Sequence, residues 1–217
     1  FFGIDNLDVV TMQAVARQLN LVETVFVQQL RNDEADFEIR YFTPEKELPV
    51  AGHPTVAAIV ALLEKNVIKN SGNSLLVVRT KAGNQEISIQ DDMVFMQQPQ
   101  AKFYPVIEDR GRVAEVFGIA ESDISAELPI QPIDSGLGHL IVPLQTESAV
   151  MKAQRKIEAL KKLCDEHNIM EAQVFAFTEN GIVTRNICPR QGLEDPACGV
   201  GNGALGYYFL QQVYPDA

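Results

Sequence analysis

An internal echo constrains this chain more than any other feature. Asn20-Leu21-Val22-Glu23 returns as Asn168-Ile169-Met170-Glu171, and Arg40-Tyr41-Phe42-Thr43-Pro44 returns as Arg185-Asn186-Ile187-Cys188-Pro189. Glu47-Leu48-Pro49-Val50-Ala51-Gly52 returns as Glu194-Asp195-Pro196-Ala197-Cys198-Gly199, in the same order and at nearly the same separation. Two related halves imply two lobes of like fold, and a cleft between such lobes is a favoured place for a small-molecule site. The 217 residues, 46% of them hydrophobic, suffice for two small cores.

Charge and cysteine usage narrow the partners. A formal net charge of −11 repels phosphate backbones and anionic lipid surfaces, so neither nucleic acid nor membrane is an expected partner. No apolar run approaches the roughly 18–20 residues of a membrane span, and no charged-then-apolar signal segment precedes the first helix. Cys164, Cys188 and Cys198 are too few and too irregular for a disulfide framework. His53, His139 and His167 fall in no metal-ligand spacing. A reducing, cytoplasmic compartment is the expectation.

The pattern of elements fits an α+β class. Met12–Leu19 reads as a helix with Thr11 as its cap, and Glu23–Gln29 and Phe37–Phe42 read as strands joined through Asn32-Asp33-Glu34. Thr55–Leu63 is apolar all round, the mark of a buried helix. Leu75–Thr80, Gln85–Gln90 and Met93–Gln97 form a meander with turns at Ala82-Gly83-Asn84 and Asp91-Asp92. A short helix over Gly111–Phe117, the strand Leu140–Leu144 and an amphipathic helix over Met151–His167 follow. Gln173–Thr178 and Ile182–Ile187 make a hairpin around Glu179-Asn180-Gly181, and Gly203–Val213 is a second apolar helix. The expected lobes are residues 1–104 and 105–217, each a mostly antiparallel strand barrel around a central buried helix.

The starts of the two apolar helices carry the candidate chemistry. A helix start leaves N–H groups unpaired and bears partial positive charge, which suits it to a carboxylate. Glycines at Gly52, Gly199, Gly201 and Gly203 permit close backbone approach, or serve only tight loop packing. Glu23 and its echo Glu171 are pocket acids or exposed strand-end charges. Asp195 is a site acid or a loop-capping group, and His53 precedes Pro54 at the first helix start. Arg40 and Arg185 are candidate ion-pair partners at strand ends. Cys198 aligns with Ala51, so the first lobe supplies no matching thiol and a two-cysteine racemase is disfavoured. Cys198 is then a packing residue or a lone redox-sensitive thiol.

Glu47-Leu48-Pro49-Val50-Ala51-Gly52-His53-Pro54-Thr55, Glu194-Asp195-Pro196-Ala197-Cys198-Gly199, Asn20–Thr24, Arg40–Pro44 and the Gly136-Leu137-Gly138-His139 turn together resemble the PhzF-like phenazine biosynthesis family over nearly the whole chain. The resemblance implies a diaminopimelate epimerase-like fold with two pseudo-symmetric lobes. It also implies an isomerase that moves a proton by side-chain acid–base catalysis, without cofactor or metal. Glu23 would be the principal proton shuttle, with His53 and Asp195 beside the substrate. Gly52, Thr55, Gly199, Val200, Gly201 and Asn202 would hold the substrate carboxylate.

Three departures shift the expected substrate. Val200 stands where the family isomerase has a serine, Cys198 where it has a threonine, and Val22 where a serine precedes the glutamate. A small carboxylic acid other than the phenazine precursor is therefore expected. The rivals are a racemase or epimerase of the same fold and a non-catalytic small-acid-binding protein. The family's outermost strands are missing from the sequence at both ends, so truncation or a covering partner subunit is expected, with a homodimer as one option.

Overall fold

Each half of the echo folds as a helix, a hairpin and a second helix. The computed structural model describes residues 1–4, 7–30, 34–69, 72–91, 93–189, 194–196 and 198–215. Two units are resolved, Phe1–Gln97 and Gln98–Ala217. The class is α+β, with one mostly antiparallel sheet and one central helix in each unit.

In the first unit α1 (Val9–Leu19) leads into β1 (Thr24–Gln29) and β2 (Phe37–Phe42), then β3 (Glu47–Leu48) and α2 (Gly52–Glu64). β4 (Asn73–Thr80), β5 (Gly83–Gln90) and β6 (Met93–Met96) complete a sheet of order β1-β2-β4-β5-β6, with β3 on β2. Among the described strands of this sheet β2 and β4 pair in parallel, and Phe2 adds an isolated parallel bridge to Val27. A parallel pair needs a crossover, and α2 supplies it. α2 packs against both β1 and β6, the two ends of the sheet path, so the sheet curls around it. Strand alternation sorts the side chains. Val27, Phe37, Ile39 and Tyr41 pack with Ile59 and Leu62 of α2, whereas Phe26 and Phe42 pack with Met12 and Ala16 of α1.

Two details differ from expectation here. Asp8, not Thr11, caps α1: its Oδ1 accepts the Thr11 N–H at 2.7 Å. A carboxylate just before the helix meets both the unpaired N–H and the partial positive charge, which a hydroxyl inside the helix cannot do. α2 is also not buried all round, since Ala57, Val60 and Ala61 are exposed on the side away from Ile59 and Leu62. The expected turn residues Asn32, Asp33 and Asp92 lie outside the described residues.

The second unit contains β7 (Lys102–Phe103), α3 (Arg110–Phe117), β8 (Gln131–Asp134), β9 (Gly138–Pro143), α4 (Glu147–Lys152), α5 (Ile157–Glu166), β10 (Glu171–Thr178), β11 (Gly181–Ile187) and α6 (Gly199–Gln212). Its sheet runs β11-β10-β9-β8-β7, with β9 and β10 parallel across the α4–α5 crossover. Because β7 pairs with β8, the segment before residue 105 already belongs to this unit. One face packs Ile133, Ile141 and Phe175 against Ala204, Leu205 and Tyr208 of α6. The other packs Leu140, Val142 and Val174 against residues of α3, α4 and α5. The single helix expected over Met151–His167 is two helices, interrupted at residues 153–156. Arg185 accounts for the break: its Nη1 donates to the carbonyls of Val150 at 2.6 Å and Ala153 at 3.0 Å, closing α4 with a cation.

The echoed residues do the same work twice. Asn20 (φ 51°) and Asn168 (φ 53°) both adopt the left-handed conformation that turns the chain out of a helix towards a strand. Arg40 pairs with Glu47 at 2.7 Å, and Arg185 Nε with Glu194 at 3.0 Å. The pairing of Tyr41 with Leu48 recurs as a bridge between Asn186 and Asp195.

Two outcomes are expected. Asn20→Ala and Asn168→Ala should each lower the unfolding free energy by about 1 kcal/mol, because alanine lacks the short polar side chain whose local hydrogen bonding lets asparagine tolerate this region, whereas Asn→Gly at either position should not, as read by urea denaturation. Burial works to raise the Glu47 carboxyl, but its bonds and attraction to Arg40 and Lys81 outweigh this and hold it below the ordinary range. A depressed folded-state value makes the pair stabilising above the unfolded carboxylate value of about 4.3, and that contribution is lost as pH falls through the folded value. Glu47→Gln should therefore lower the urea midpoint at pH 7, by an amount worth at most about 1 kcal/mol, and the difference from wild type should shrink as pH falls below the unfolded carboxylate value.

Candidate functional site

The first unit brings two expected site residues together. The left-handed Asn20 ends α1, and Glu23 follows just before β1. Glu23 Oε2 lies 2.9 Å from Nε2 of His53, the second residue of α2. The Glu23 side chain is 15% exposed and the His53 side chain 48%, so a shielded carboxyl is coupled to an imidazole that reaches solvent. Ala51 provides no side-chain cap for α2. The first-turn N–H groups of Gly52 and His53 have no acceptor within the helix, and Pro54 at the third position has no N–H to satisfy.

Thr55, expected beside the substrate carboxylate, lies one turn into the first unit's central helix. It is wholly buried, and its hydroxyl donates to the Ala51 carbonyl while contacting the Tyr41 hydroxyl, each at 2.5 Å. Burial pushes the Tyr41 phenol up to about 12, with the Thr55 bond opposing the shift. The hydroxyl pins the helix start to β2.

In the second unit the chemistry gathers around Glu171. Glu171 on β10 and His139 on β9 are register partners across the parallel pair, with Nε2 to Oε2 at 3.3 Å. Gly138 makes this register possible: a Cβ there would lie 3.1 Å from the Ile169 Cα and 3.2 Å from the Asn168 carbonyl oxygen. His139 is fully buried and its Nδ1–H donates to the Leu137 carbonyl at 2.9 Å. Burial works to raise the Glu171 carboxyl, but His139, Asn186 and Cys188 prevail and hold it below the ordinary carboxylate range.

Cys198 caps α6 at this point. Its Sγ accepts the Gly201 N–H at 3.3 Å and lies 3.6 Å from His139 Nε2 and 3.8 Å from Glu171 Oε2. Burial pushes the thiol up to about 12, and the Glu171 and Asp195 carboxylates reinforce the shift against the pull of the Gly201 N–H. The group is therefore a neutral thiol at physiological pH. Asp195 is half-buried, held at the Asn186 bridge and in contact with this thiol. His139 Nε2, a Glu171 oxygen and Cys198 Sγ all lie within 4.8 Å of one another, a donor set able to hold a metal.

The expected carboxylate-binding residues of α6 divide into two groups. The Gly201 N–H is bonded to Cys198 Sγ, and the Asn202 N–H to the Cys198 carbonyl at 3.0 Å. The Asn202 side chain accepts from Gln173 Nε2 at 3.1 Å. These two residues are thus committed to the helix start itself. Gly199 and Val200 keep first-turn N–H groups for which the helix has no acceptor. His139 and Cys198 were not among the expected site residues, although the Gly136–His139 turn and the pairing of Glu171 with Glu23 in the echo pointed towards this place.

Gly201 and Gly199 should respond differently to a methyl group. At Gly201 a Cβ would lie 2.7 Å from Gln173 Oε1, 3.0 Å from His139 Nε2 and 3.1 Å from Cys198 Sγ, whereas at Gly199 nothing lies within 4 Å. Gly201→Ala should destabilise by about 1–3 kcal/mol and Gly199→Ala by much less, as measured by thermal or urea unfolding.

Comparison with known proteins agrees with this architecture. The PhzC/PhzF family of phenazine biosynthesis-like proteins matches residues 1–214. Antisense-enhancing sequence 1 of Schizosaccharomyces pombe is 32% identical over 216 residues, covering 96% of this chain and 73% of that protein. Trans-2,3-dihydro-3-hydroxyanthranilate isomerase of Pseudomonas chlororaphis is 32% identical over 220 residues, covering 97% and 73% respectively. A crystal structure of a Bacillus anthracis PhzF-family phenazine biosynthesis protein superposes with a TM-score of 0.86 at 26% identity, covering 98% of this chain and 74% of that one. With the family matched across almost its whole length and isomerases among its relatives, this chain belongs to the PhzC/PhzF family and is a PhzF-like isomerase.

Proposed function

We propose that the chain moves a proton on a small carboxylic acid, with Glu23 as the group that takes the proton from carbon and returns it. The 2.9 Å couple between Glu23 and His53 at the start of α2 carries this reading. The carboxyl is largely shielded from water while the imidazole at its side reaches solvent, a pairing suited to acid–base work. The N–H groups of Gly52 and His53, with the positive end of α2, are suited to a carboxylate and to the charge that develops as a neighbouring C–H bond ionises.

In the second unit, Asp195 and the first-turn N–H groups of Gly199 and Val200 are the corresponding acid and anion-binding elements. Val200 contributes no hydroxyl, which favours a substrate other than the dihydro-hydroxyanthranilate named for the Pseudomonas relative. No helix of the described residues is long and apolar enough to cross a membrane. The three cysteines are buried free thiols, which supports a reducing cytoplasmic setting.

The test is solvent exchange. Candidate small carboxylic acids are incubated with the protein in heavy water and examined by proton NMR. Wild type should place deuterium on carbon, Glu23→Gln should place none, and His53→Gln should be slowed by about 10²–10⁴-fold. Label that survives Glu23→Gln but vanishes in Cys198→Ala would overturn the assignment in favour of a thiol-based racemase.

A further inference from the structure

We infer that His139, Glu171 and Cys198 form a binding site for a single zinc-class divalent ion in the second unit. The proton-transfer reading uses none of the three. Its first support is shape. A four-coordinate zinc, with bonds of about 2.0 Å to nitrogen and oxygen and about 2.3 Å to sulfur, holds its donors about 3.3 Å (N to O) and about 3.5 Å (either to S) apart. The observed separations are 3.3 Å from His139 Nε2 to Glu171 Oε2, 3.6 Å from Nε2 to Cys198 Sγ and 3.8 Å from Oε2 to Sγ. An ion could enter this triangle with little movement of its corners.

The second support is the set of groups behind the donors. His139 donates Nδ1–H to the Leu137 carbonyl at 2.9 Å, which fixes the ring so that Nε2 presents its lone pair. The Gly201 N–H points to Cys198 Sγ at 3.3 Å, a bond that strengthens when the sulfur becomes anionic. The methyl-free Gly201 lets the imidazole and the thiol approach each other, since a Cβ there would crowd both. Imidazole, thiolate and carboxylate together suit zinc among the divalent ions, because magnesium and calcium prefer all-oxygen shells.

The charge balance also closes. Binding replaces the Cys198 S–H bond by a sulfur–metal bond, and the proton leaves to solvent. One dication with one thiolate, one carboxylate and a neutral imidazole is uncharged, which suits a fully buried His139 and a buried Cys198, and the half-buried Asp195 carboxylate beside the thiol adds a further attraction for a cation.

The experiment needs no turnover, so it is independent of the proton-transfer reading. The full chain is stripped with chelator, loaded with zinc chloride, desalted and assayed for metal. Wild type and Cys164→Ala, a core cysteine used as the control, should each retain one zinc per chain. Cys198→Ser and His139→Gln should bind at least about 100-fold more weakly. Circular dichroism confirms that each variant is folded, and Cys198→Ser, a one-atom change, serves should His139→Gln fail to fold. Loading with cobalt chloride should give a thiolate-to-metal charge-transfer band and the intense visible bands of a four-coordinate ion in wild type, both lost in Cys198→Ser. Zinc retention that is the same in wild type and Cys198→Ser, or a cobalt spectrum without the thiolate band, overturns the proposal.

Discussion

Unpaired N–H groups at the start of a half-apolar helix are the constraint on which each unit is built. α2 and α6 both begin on glycine after a short loop, and neither has an oxygen-bearing cap: Ala51 offers no side-chain acceptor and Cys198 offers only sulfur. A helix start left in this state is suited to a negative group. In the first unit the Glu23 carboxylate is brought to His53, in the first turn of α2, by the segment between Asn20 and β1. In the second unit a carboxylate arrives by the same route, from Asn168 into β10, and meets Cys198. Sheet curvature, the parallel crossovers and the Arg–Glu pairs hold strand and helix in this relation.

Much of this was legible because the echo records backbone requirements rather than side-chain taste. Asparagine recurs where φ is positive. Arginine and glutamate recur where two segments must be tied, at Arg40–Glu47 and Arg185–Glu194. Strand alternation placed Phe37–Phe42 without error, and the apolar runs marked both central helices. Local pattern is a good guide wherever a local constraint decides the conformation.

The misreadings have long-range causes. Nothing between Met151 and His167 breaks a helix; Arg185, more than thirty residues on, does so by claiming the carbonyls of α4. The bonding of the Thr55 hydroxyl is likewise set at long range, by the Tyr41 hydroxyl on a neighbouring strand. His139, Glu171 and Cys198 stand in no recognisable spacing, and only the parallel register of β9 with β10 and the loop into α6 assemble them. A spacing rule detects ligands carried on one element, not ligands gathered from three.

The two halves also show how a duplicated scaffold diverges in chemistry. Both keep the glutamate, and both give it an imidazole, but from different elements. His53 comes from the first turn of α2, where the second half has Val200, whereas His139 comes from the neighbouring strand. The consequence follows from exposure: the His53 side chain is 48% exposed and that of His139 is 0%. An imidazole open to water can refresh its proton on every cycle, as an acid–base couple requires. An imidazole sealed in the core, tied through Nδ1 to a carbonyl and facing a neutral thiol, has no such exchange route and is suited to holding a fixed partner. The proposed proton transfer by Glu23 and His53 draws on this exposed couple, and the proposed ion site on the sealed one.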